Sequence, residues 1–390
     1  MLSSRLDEHS VWRSYEPTKE DSPGNRGDVW AGVESWLMLV LRRLDRDRFT
    51  MDLLYNTTKK CAYDDEVRAL GYRIIPCLGL PNPLVYSINF LKILRQQGPY
   101  DIVHSQLFHF GGLHLRLAYT AGVPMRILHS RNVGKTTPPS FIQRLTWPIL
   151  NRWIRLYGTH LLAVNKESAL GLYGADVLGD PRCRILPSAI DLEPFQILPD
   201  GVQMRVSLGY GPSNPIIGHI GRFSEQKNHR FILEIFAFLA RKRPNLRFLL
   251  VGDGPLRPQI EDRSKQLGLI DRLVFTGTRP DVPQLLMGAM DVLLFPSKWE
   301  GSPRVLMEAQ AAGLPSVISD VISEESDIVK PLIRRVPLTA PASQWAEAVL
   351  AFLDAPRPLT QPEAEALVRE SPFNIEANVH LLQEIYAGCT

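Results

Sequence analysis

Short apolar runs alternate along the chain with longer amphipathic segments, and this alternation predicts strands that are each followed by a helix. In the first half, the predicted strands are 49–55, 72–78, 100–105, 125–129, 161–164 and 184–186. From Pro215 the pattern restarts, with strands at 215–221, 247–252, 272–277, 290–296 and 316–319. Strands that alternate with helices form parallel sheets with right-handed crossovers. The sequence therefore predicts an α/β protein of two Rossmann-like domains, residues 1–190 and 191–373.

The first residues fit this pattern least well. An open α/β domain normally begins with a buried hydrophobic strand. The best candidate here, Val11–Tyr15, is short and half polar. We therefore expect the first strand to be missing.

Composition places the chain among globular proteins of two or more domains, with 390 residues, 45% of them hydrophobic and 22% charged. Its four cysteines lack the short spacings of zinc sites and of disulfide scaffolds, which favours a reducing compartment. The first 25 residues are polar, and no apolar run approaches the ~20 residues that a membrane-spanning helix needs. We expect a cytoplasmic protein.

The net charge of +3 indicates no particular partner, but the charge is unevenly distributed. Residues 102–166 contain eight Lys or Arg residues and no Asp or Glu. Within this basic stretch, Phe141–Tyr157 spaces apolar residues four apart, at Phe141, Leu145, Ile149, Trp153 and Tyr157. Two interpretations stay open: a core-facing helix of the first domain, or an interfacial helix on anionic lipid. The second predicts peripheral contact with the inner face of the membrane.

Two carboxylates, Glu300 and Glu308, follow the buried strand predicted at 290–296, with seven residues between them. Pro303 suits the first position of a helix, with Ser302 as its N-cap. A helix N-terminus at the carboxyl end of a parallel strand favours phosphate, whereas carboxylates repel phosphate and suit hydroxyl groups. The spacing therefore indicates two sugar rings that flank a diphosphate. The alternative is a surface helix with two solvated glutamates.

Two cations, Arg222 and Lys227, follow the strand predicted at 215–221. A planar guanidinium and an ammonium suit a diphosphate, which becomes more negative as a glycosidic bond breaks. Taken alone, such a pair is more often two solvated surface cations.

The wider pattern resembles the retaining, nucleotide-sugar-dependent glycosyltransferases of family 4 (glycosyl transferases group 1), including members of exopolysaccharide biosynthesis. The stretch from Glu300 to Glu308 resembles their E-x7-E signature, and Gly221–Asn228 resembles their G-R-x-x-x-x-K-(G/N) segment. Two further motifs, at 251–255 and 274–277, have the spacing usual in that family. The resemblance runs from about residue 32 to the C-terminus.

This resemblance implies a GT-B fold, in which two Rossmann-like domains face a cleft and a terminal helix, 374–390, packs back on the first domain. It implies transfer of a hexose from a nucleotide-diphosphate sugar to a glycan or lipid-linked acceptor, in cell-surface polysaccharide synthesis. No cofactor, bound metal or nucleic-acid partner is expected.

The resemblance also implies roles for single residues. Glu300 would hold hydroxyls of the donor sugar and Glu308 those of the ribose, while Arg222 and Lys227 would bind the diphosphate. His129 matches a histidine placed near the anomeric carbon of the donor, and His104 and His109 compete with it because they also follow a strand. The expected catalytic set is His129, Glu300, Arg222 and Lys227. Further donor contacts are expected at Gly32, Gly301, Ser302, Pro303, Arg304 and Val305.

An alternative from another class keeps the fold without the catalysis. The weak first strand, Ala31 in place of a family glycine, and Arg131 all depart from the family pattern in the first domain, while the donor half is complete. Such a chain would be a catalytically silent partner subunit that binds nucleotide sugar. An epimerase or phosphorylase of the same architecture is a weaker alternative, because phosphorylases need a pyridoxal-bearing lysine in a much longer chain.

Overall fold

The structure is a computed structural model that describes residues 9–15, 32–80, 82–131 and 140–388. The chain divides into two compact units. The N-terminal unit contains the described residues up to Ser188 and those from Glu376 onward, and the C-terminal unit contains Ala189–Ile375. Within the described ranges, no helix has the length and apolar character that crossing a membrane requires.

The described strands of the N-terminal unit form one parallel sheet: β1 (His9–Tyr15), β2 (Phe49–Tyr55), β3 (Arg73–Pro76), β4 (Ile102–Ser105), β5 (Met125–Ser130), β6 (His160–Ala163) and β7 (Cys183–Ile185). Their order across the sheet is β3-β2-β1-β4-β5-β6-β7. The connecting helices are α1 (Gly32–Arg43), α2 (Asp64–Ala69), α3 (Pro83–Gln97), α4 (Gly111–Thr120), α5 (Phe141–Tyr157) and α6 (Lys166–Tyr173).

The first strand, which the sequence predicts to be missing, is present near the middle of this sheet. β1 pairs in parallel with β2 along its whole length, from His9 opposite Phe49 to Tyr15 opposite Tyr55, and with β4 on its other side. A strand with neighbours on both sides forms its backbone hydrogen bonds whatever its side chains are, so a half-polar sequence can occupy this position. The prediction of a missing strand is therefore wrong. Ala31 lies outside the described residues.

The C-terminal unit is built on a second parallel sheet: β8 (Ile216–Ile220), β9 (Arg247–Val251), β10 (Leu273–Gly277), β11 (Val292–Phe295), β12 (Ser316–Ser319) and β13 (Ile333–Val336), in the order β10-β9-β8-β11-β12-β13. Its helices are α7 (Gly201–Ser207), α8 (His229–Lys242), α9 (Arg257–Gln266), α10 (Val282–Gln284, continued by the π-helical turn Leu285–Ala289), α11 (Arg304–Ala311), α12 (Ala342–Asp354) and α13 (Gln361–Arg369). β8 and β11 are buried along their whole length, because crossover helices cover both faces of such a sheet.

The last helix, α14 (Ile375–Ala387), packs within the N-terminal unit. Its Tyr386 hydroxyl lies 2.8 Å from His104 Nδ1. Asn378 accepts a hydrogen bond from Trp36 Nε1 at 3.0 Å and donates one to the Pro187 carbonyl at 2.9 Å. These buried hydrogen bonds fix α14 against α1 and the segment after β7.

Candidate functional site

The candidate residues of the C-terminal unit lie beyond the carboxyl ends of β8 and β11, which are neighbours in the sheet. From β8 the chain continues outward through β9 and β10, and from β11 it continues to the other edge through β12 and β13. The boundary between β8 and β11 is therefore the topological switch point of the sheet. Open α/β sheets bind their ligands at such a point.

The loop after β8 is held against the loop after β11 by backbone and amide hydrogen bonds. The Lys298 amide donates to the Gln226 carbonyl at 2.8 Å, and Gln226 Nε2 donates to the Trp299 carbonyl at 2.9 Å. Asn228, which has a left-handed backbone with φ of 58°, donates to the Pro296 carbonyl at 3.2 Å. The two loops thus form one connected structure at the end of the sheet.

Lys227 and Glu300 meet in this structure as a poorly exposed ion pair. Lys227 Nζ lies 2.6 Å from Glu300 Oε1, and their side chains are 15% and 7% exposed. Gln226 Nε2 donates to the other carboxylate oxygen at 3.2 Å, and the ammonium lies 4.5 Å from the centre of the Phe295 ring. The sequence predicts separate roles for the two charges, whereas the structure places them in direct contact.

Helix α11 begins one residue later than predicted. Arg304 is its first residue, and Pro303, with extended backbone angles, occupies the N-cap position instead of Ser302. The Leu306 amide closes the first turn by donating to the Pro303 carbonyl at 2.9 Å. Ser302 is therefore not the cap, and its buried Oγ has no hydrogen-bond partner among the described residues.

Arg304 and Glu308 pair along the same helix, with Arg304 Nη2 3.4 Å from Glu308 Oε1. Burial raises the pKa of the Glu308 carboxyl, and the Arg304 guanidinium opposes that rise. The buried Nε of Arg304 has no hydrogen-bond partner within the described ranges. Two unsatisfied donors, Ser302 Oγ and Arg304 Nε, therefore belong to residues at a helix N-terminus, where the helix dipole also favours an anion.

The other predicted donor residues of this unit lie on the same two loops or in the first turn of α11. Arg222 is half-buried directly after β8, Gly301 follows Glu300, and Val305 is in the first turn of α11. The structure thus gathers the predicted residues of this unit at one edge of its sheet.

His129, predicted as catalytic, lies at the end of β5 in the N-terminal unit and is fully buried. Its Nε2 is 3.3 Å from the Leu186 carbonyl oxygen. Its ring stacks on His104, with centroids 5.5 Å apart, and meets the edge of Trp36 at 5.6 Å. Arg131 lies over the Trp36 ring, with its guanidinium 4.1 Å from the ring centre. Gly32, the remaining predicted donor contact, begins α1.

Three residues near the ion pair are absent from the sequence prediction. Gln226 contacts Glu300 as described above, and two buried histidines lie behind Lys227. His229 stacks on Phe223 with centroids 4.1 Å apart and meets His219 edge-on at 4.8 Å. Burial, together with the positive charge of Lys227, lowers the pKa of both imidazoles, and the pKa of His229 falls to about 3. Of these three residues, only His219 has a signal in the sequence, since it is a histidine inside the apolar run of β8.

In the described part of the chain, no three His, Cys, Asp or Glu side chains group closely enough to hold a metal ion. The expectation of a metal-free reaction stays a prediction.

Comparison with known proteins adds a family and a fold. The family model described as "Glycosyl transferases group 1" matches residues 203–369. The chain is 35% identical over 367 residues to the "Putative glycosyltransferase EpsF" of Bacillus subtilis (strain 168), and the match covers 93% of this chain and 94% of that protein. It is 27% identical to the UDP-Gal:alpha-D-GlcNAc-diphosphoundecaprenol alpha-1,3-galactosyltransferase of Escherichia coli, over 75% of this chain and 76% of the relative.

Among solved structures, Anabaena HepE in complex with UDP matches with a TM-score of 0.76 at 16% identity, over 97% of this chain and 100% of that one. The predicted fold class, an α/β protein of two Rossmann-like domains of the GT-B type, is confirmed.

Proposed function

The chain belongs to the glycosyl transferases group 1 family, and we propose that this glycosyltransferase is a retaining enzyme of family 4 type that moves a hexose from a nucleotide-diphosphate sugar. The observation that carries the proposal is the Lys227–Glu300 ion pair at the topological switch point, beside the N-terminus of α11. A cation and a carboxylate side by side suit the junction of a diphosphate with a sugar ring, since one binds phosphate oxygens and the other binds hydroxyl groups.

Donor binding would separate this ion pair. Lys227 and Arg222 would turn to the diphosphate, and Glu300 would accept hydrogen bonds from hydroxyls of the hexose. The unsatisfied donors Ser302 Oγ and Arg304 Nε support a phosphate position at α11, together with the backbone of Gly301, Pro303 and Val305. Glu308 would hold the ribose hydroxyls, and Gly32 stays a proposed donor contact.

The chemistry in this proposal is a front-face displacement. The bond between the anomeric carbon and the diphosphate oxygen breaks, and the leaving electrons are stabilised by Arg222, Lys227 and the α11 dipole. The acceptor hydroxyl attacks from the same face, so the anomeric configuration is retained. Its proton passes to the departing phosphate oxygen. His129 would assist near the anomeric carbon.

We assign the acceptor to a growing glycan or a lipid-linked sugar of cell-surface polysaccharide synthesis. The name of the E. coli relative, which specifies UDP-Gal and a diphosphoundecaprenol acceptor, supports this class. The UDP bound to HepE supports a uridine nucleotide as the first donor to test. The catalytically silent alternative is not favoured, because one of its grounds, a missing first strand, is wrong.

The test is hydrolysis of a panel of nucleotide sugars by the purified chain, with Glu300→Gln beside it. Glu347→Gln is a matched control, because Glu347 is an exposed glutamate on α12 of the same unit. We expect one donor to release its nucleoside diphosphate slowly, Glu300→Gln to abolish this release and Glu347→Gln to leave it unchanged. Donors that bind without turnover would favour the silent subunit. A chain that binds none of them would refute the assigned donor site.

A further inference from the structure

Helix α5 presents an apolar face to solvent. Its exposed apolar residues range from 53% exposure at Ile149 to 77% at Phe141, and the others are Ile142, Leu145 and Leu156. Trp153 and Tyr157, which the four-residue spacing assigns to the same stripe, are half-buried. An α-helix advances roughly 100° per residue, so a step of four residues rotates the position by about 40°. The predicted stripe therefore turns from solvent at Phe141 towards the core at Tyr157.

The same helix is firmly anchored on its inner side. Ile154 is 1% exposed, and a Cβ added to Gly112 of α4 would lie only 2.2 Å from the Leu150 carbonyl oxygen. A capping box fixes its start, since the Gln143 amide donates to Ser140 Oγ at 3.3 Å and the Ser140 amide donates to Gln143 Oε1 at 2.9 Å. The inner face of α5 is thus apolar and packs against the unit. Its outer face is also apolar, but no described residue covers it.

Helix α3 adds to this surface. Leu84 and Ile88, in its first turns, are 75% and 66% exposed, and Val85 is also exposed. α3 and α5 follow β3 and β5, so both begin at the carboxyl edge of the sheet. The connections from β3 to β4, β4 to β5 and β5 to β6 all advance in one direction across the sheet, so their right-handed crossovers put α3, α4 and α5 on one face. We call the exposed apolar residues of α3 and α5 the apolar face: Leu84, Val85, Ile88, Phe141, Ile142, Leu145, Ile149 and Leu156.

Every charged residue on α3 and α5 is basic. Neither α3 nor α5 contains an Asp or Glu residue. Arg144, Arg152 and Arg155 are exposed on α5, and helical rotation places Arg152 in the same outward arc as Leu145 and Leu156. A second copy of the chain placed on this face by a twofold axis would set arginines against arginines. An anionic lipid surface accepts both the apolar side chains and the guanidinium groups.

We propose that the apolar face docks the N-terminal unit on a membrane that contains anionic lipid. Phe141, Leu145 and Ile149 enter the boundary between headgroups and acyl chains, and Arg152, in the same outward arc, contacts lipid phosphate. The helices lie on the surface and do not cross it. This inference goes beyond the transfer reaction and does not depend on which sugar is moved.

The experiment is co-sedimentation of the full chain with vesicles of phosphatidylcholine alone and of phosphatidylcholine mixed with phosphatidylglycerol. We expect binding to the mixed vesicles, weakened by salt, and little binding to phosphatidylcholine alone. The variants are Leu145→Ser/Ile149→Ser, which removes apolar contacts, and Arg152→Gln, which removes one charge. The matched control is Ile197→Ser/Leu198→Ser, because these two neighbours are apolar residues of the C-terminal unit that are at least as exposed as the pair on α5.

The serine pair on α5 should weaken binding by about tenfold or more, Arg152→Gln by about fivefold, and the control should bind as the parent does. Circular dichroism confirms that each variant is folded, and the salt dependence of the parent protein tests the charge argument without any variant. Equal binding to both vesicle types, or no binding to either, would overturn the proposal. A dimer in solution that the serine pair dissociates would also overturn it, because the face would then be an interface between copies.

Discussion

Replacement of Glu300 by glutamine should tighten the binding of a nucleoside diphosphate while it abolishes transfer. The substitution keeps the shape of the side chain but removes the negative charge 2.6 Å from Lys227 Nζ. A diphosphate that binds Lys227 must compete with this carboxylate. A nucleoside diphosphate carries no hexose, so it loses nothing when the proposed hydroxyl contacts of Glu300 disappear.

The geometry sets the size of the effect. At 2.6 Å and an effective dielectric constant of roughly 20, the Coulomb attraction in the pair is about 6 kcal/mol before desolvation is counted. Most of this is offset by the cost of taking two charges out of water, because the side chains are only 15% and 7% exposed. A net competition of about 1.5 kcal/mol would correspond to roughly a tenfold gain in affinity for the nucleoside diphosphate.

The assay is calorimetric titration of UDP into the parent protein, Glu300→Gln and Glu308→Gln at one salt concentration. Glu308→Gln is the matched comparison, because it is the same chemical change in the next functional carboxylate. It should weaken UDP binding through loss of the ribose contact. A general loss of structure would not raise the affinity for UDP in one Glu→Gln variant and lower it in the other.

A weaker or unchanged affinity in a folded Glu300→Gln protein would refute this reasoning. Lys227 would then not be held by Glu300 in competition with phosphate, and its role as a diphosphate ligand would fall with it.

Three further predictions concern single side chains. His129→Gln should lower kcat more than His104→Gln does, because both histidines are fully buried in one stacked cluster and only His129 is proposed to act near the anomeric carbon; equal losses would make His129 structural. Ser302→Ala should leave the free energy of unfolding unchanged, because the hydroxyl has no partner among the described residues, yet weaken UDP binding by about tenfold in calorimetry. Burial lowers the pKa of His114 and of His229 to about 3, below the unfolded value of about 6.5, so the unfolded chain binds more protons and stability falls as pH falls through 6.5. Urea unfolding should show a loss of about 2 kcal/mol per histidine between about pH 7.5 and about pH 5, and His229→Leu should lack its share; an unaltered pH dependence in that variant would contradict the assignment.

Much of the fold could be predicted because, along most of the chain, the spacing of the hydrophobic residues and the length of the apolar runs indicate the same strands. β2 and β12 occur where the pattern predicts them. β1 escaped prediction because its position in the sheet is fixed by backbone pairing with two neighbours, which a half-polar sequence does not reveal. β13 is an edge strand with two arginines in its four residues, so no apolar run marks it.

The candidate site could be predicted in part. Motif and strand-end position indicated Arg222, Lys227 and Glu300, but no local pattern indicates that Lys227 and Glu300, 73 residues apart, form an ion pair. That contact depends on the order of β8 and β11 in the sheet and on the hydrogen bonds that Gln226 makes between their loops. The sequence does not decide whether α5 faces the core or a lipid surface, because a spacing of four residues does not show which part of the helix is buried.

The most direct test of the central claim is the product of transfer from a uridine-diphosphate sugar to a lipid-linked or glycan acceptor, analysed by NMR for its anomeric configuration. We expect Glu300-dependent release of UDP and a product with the anomeric configuration of the donor. An inverted product would contradict the front-face mechanism, and transfer that persists in Glu300→Gln would contradict the assigned donor site.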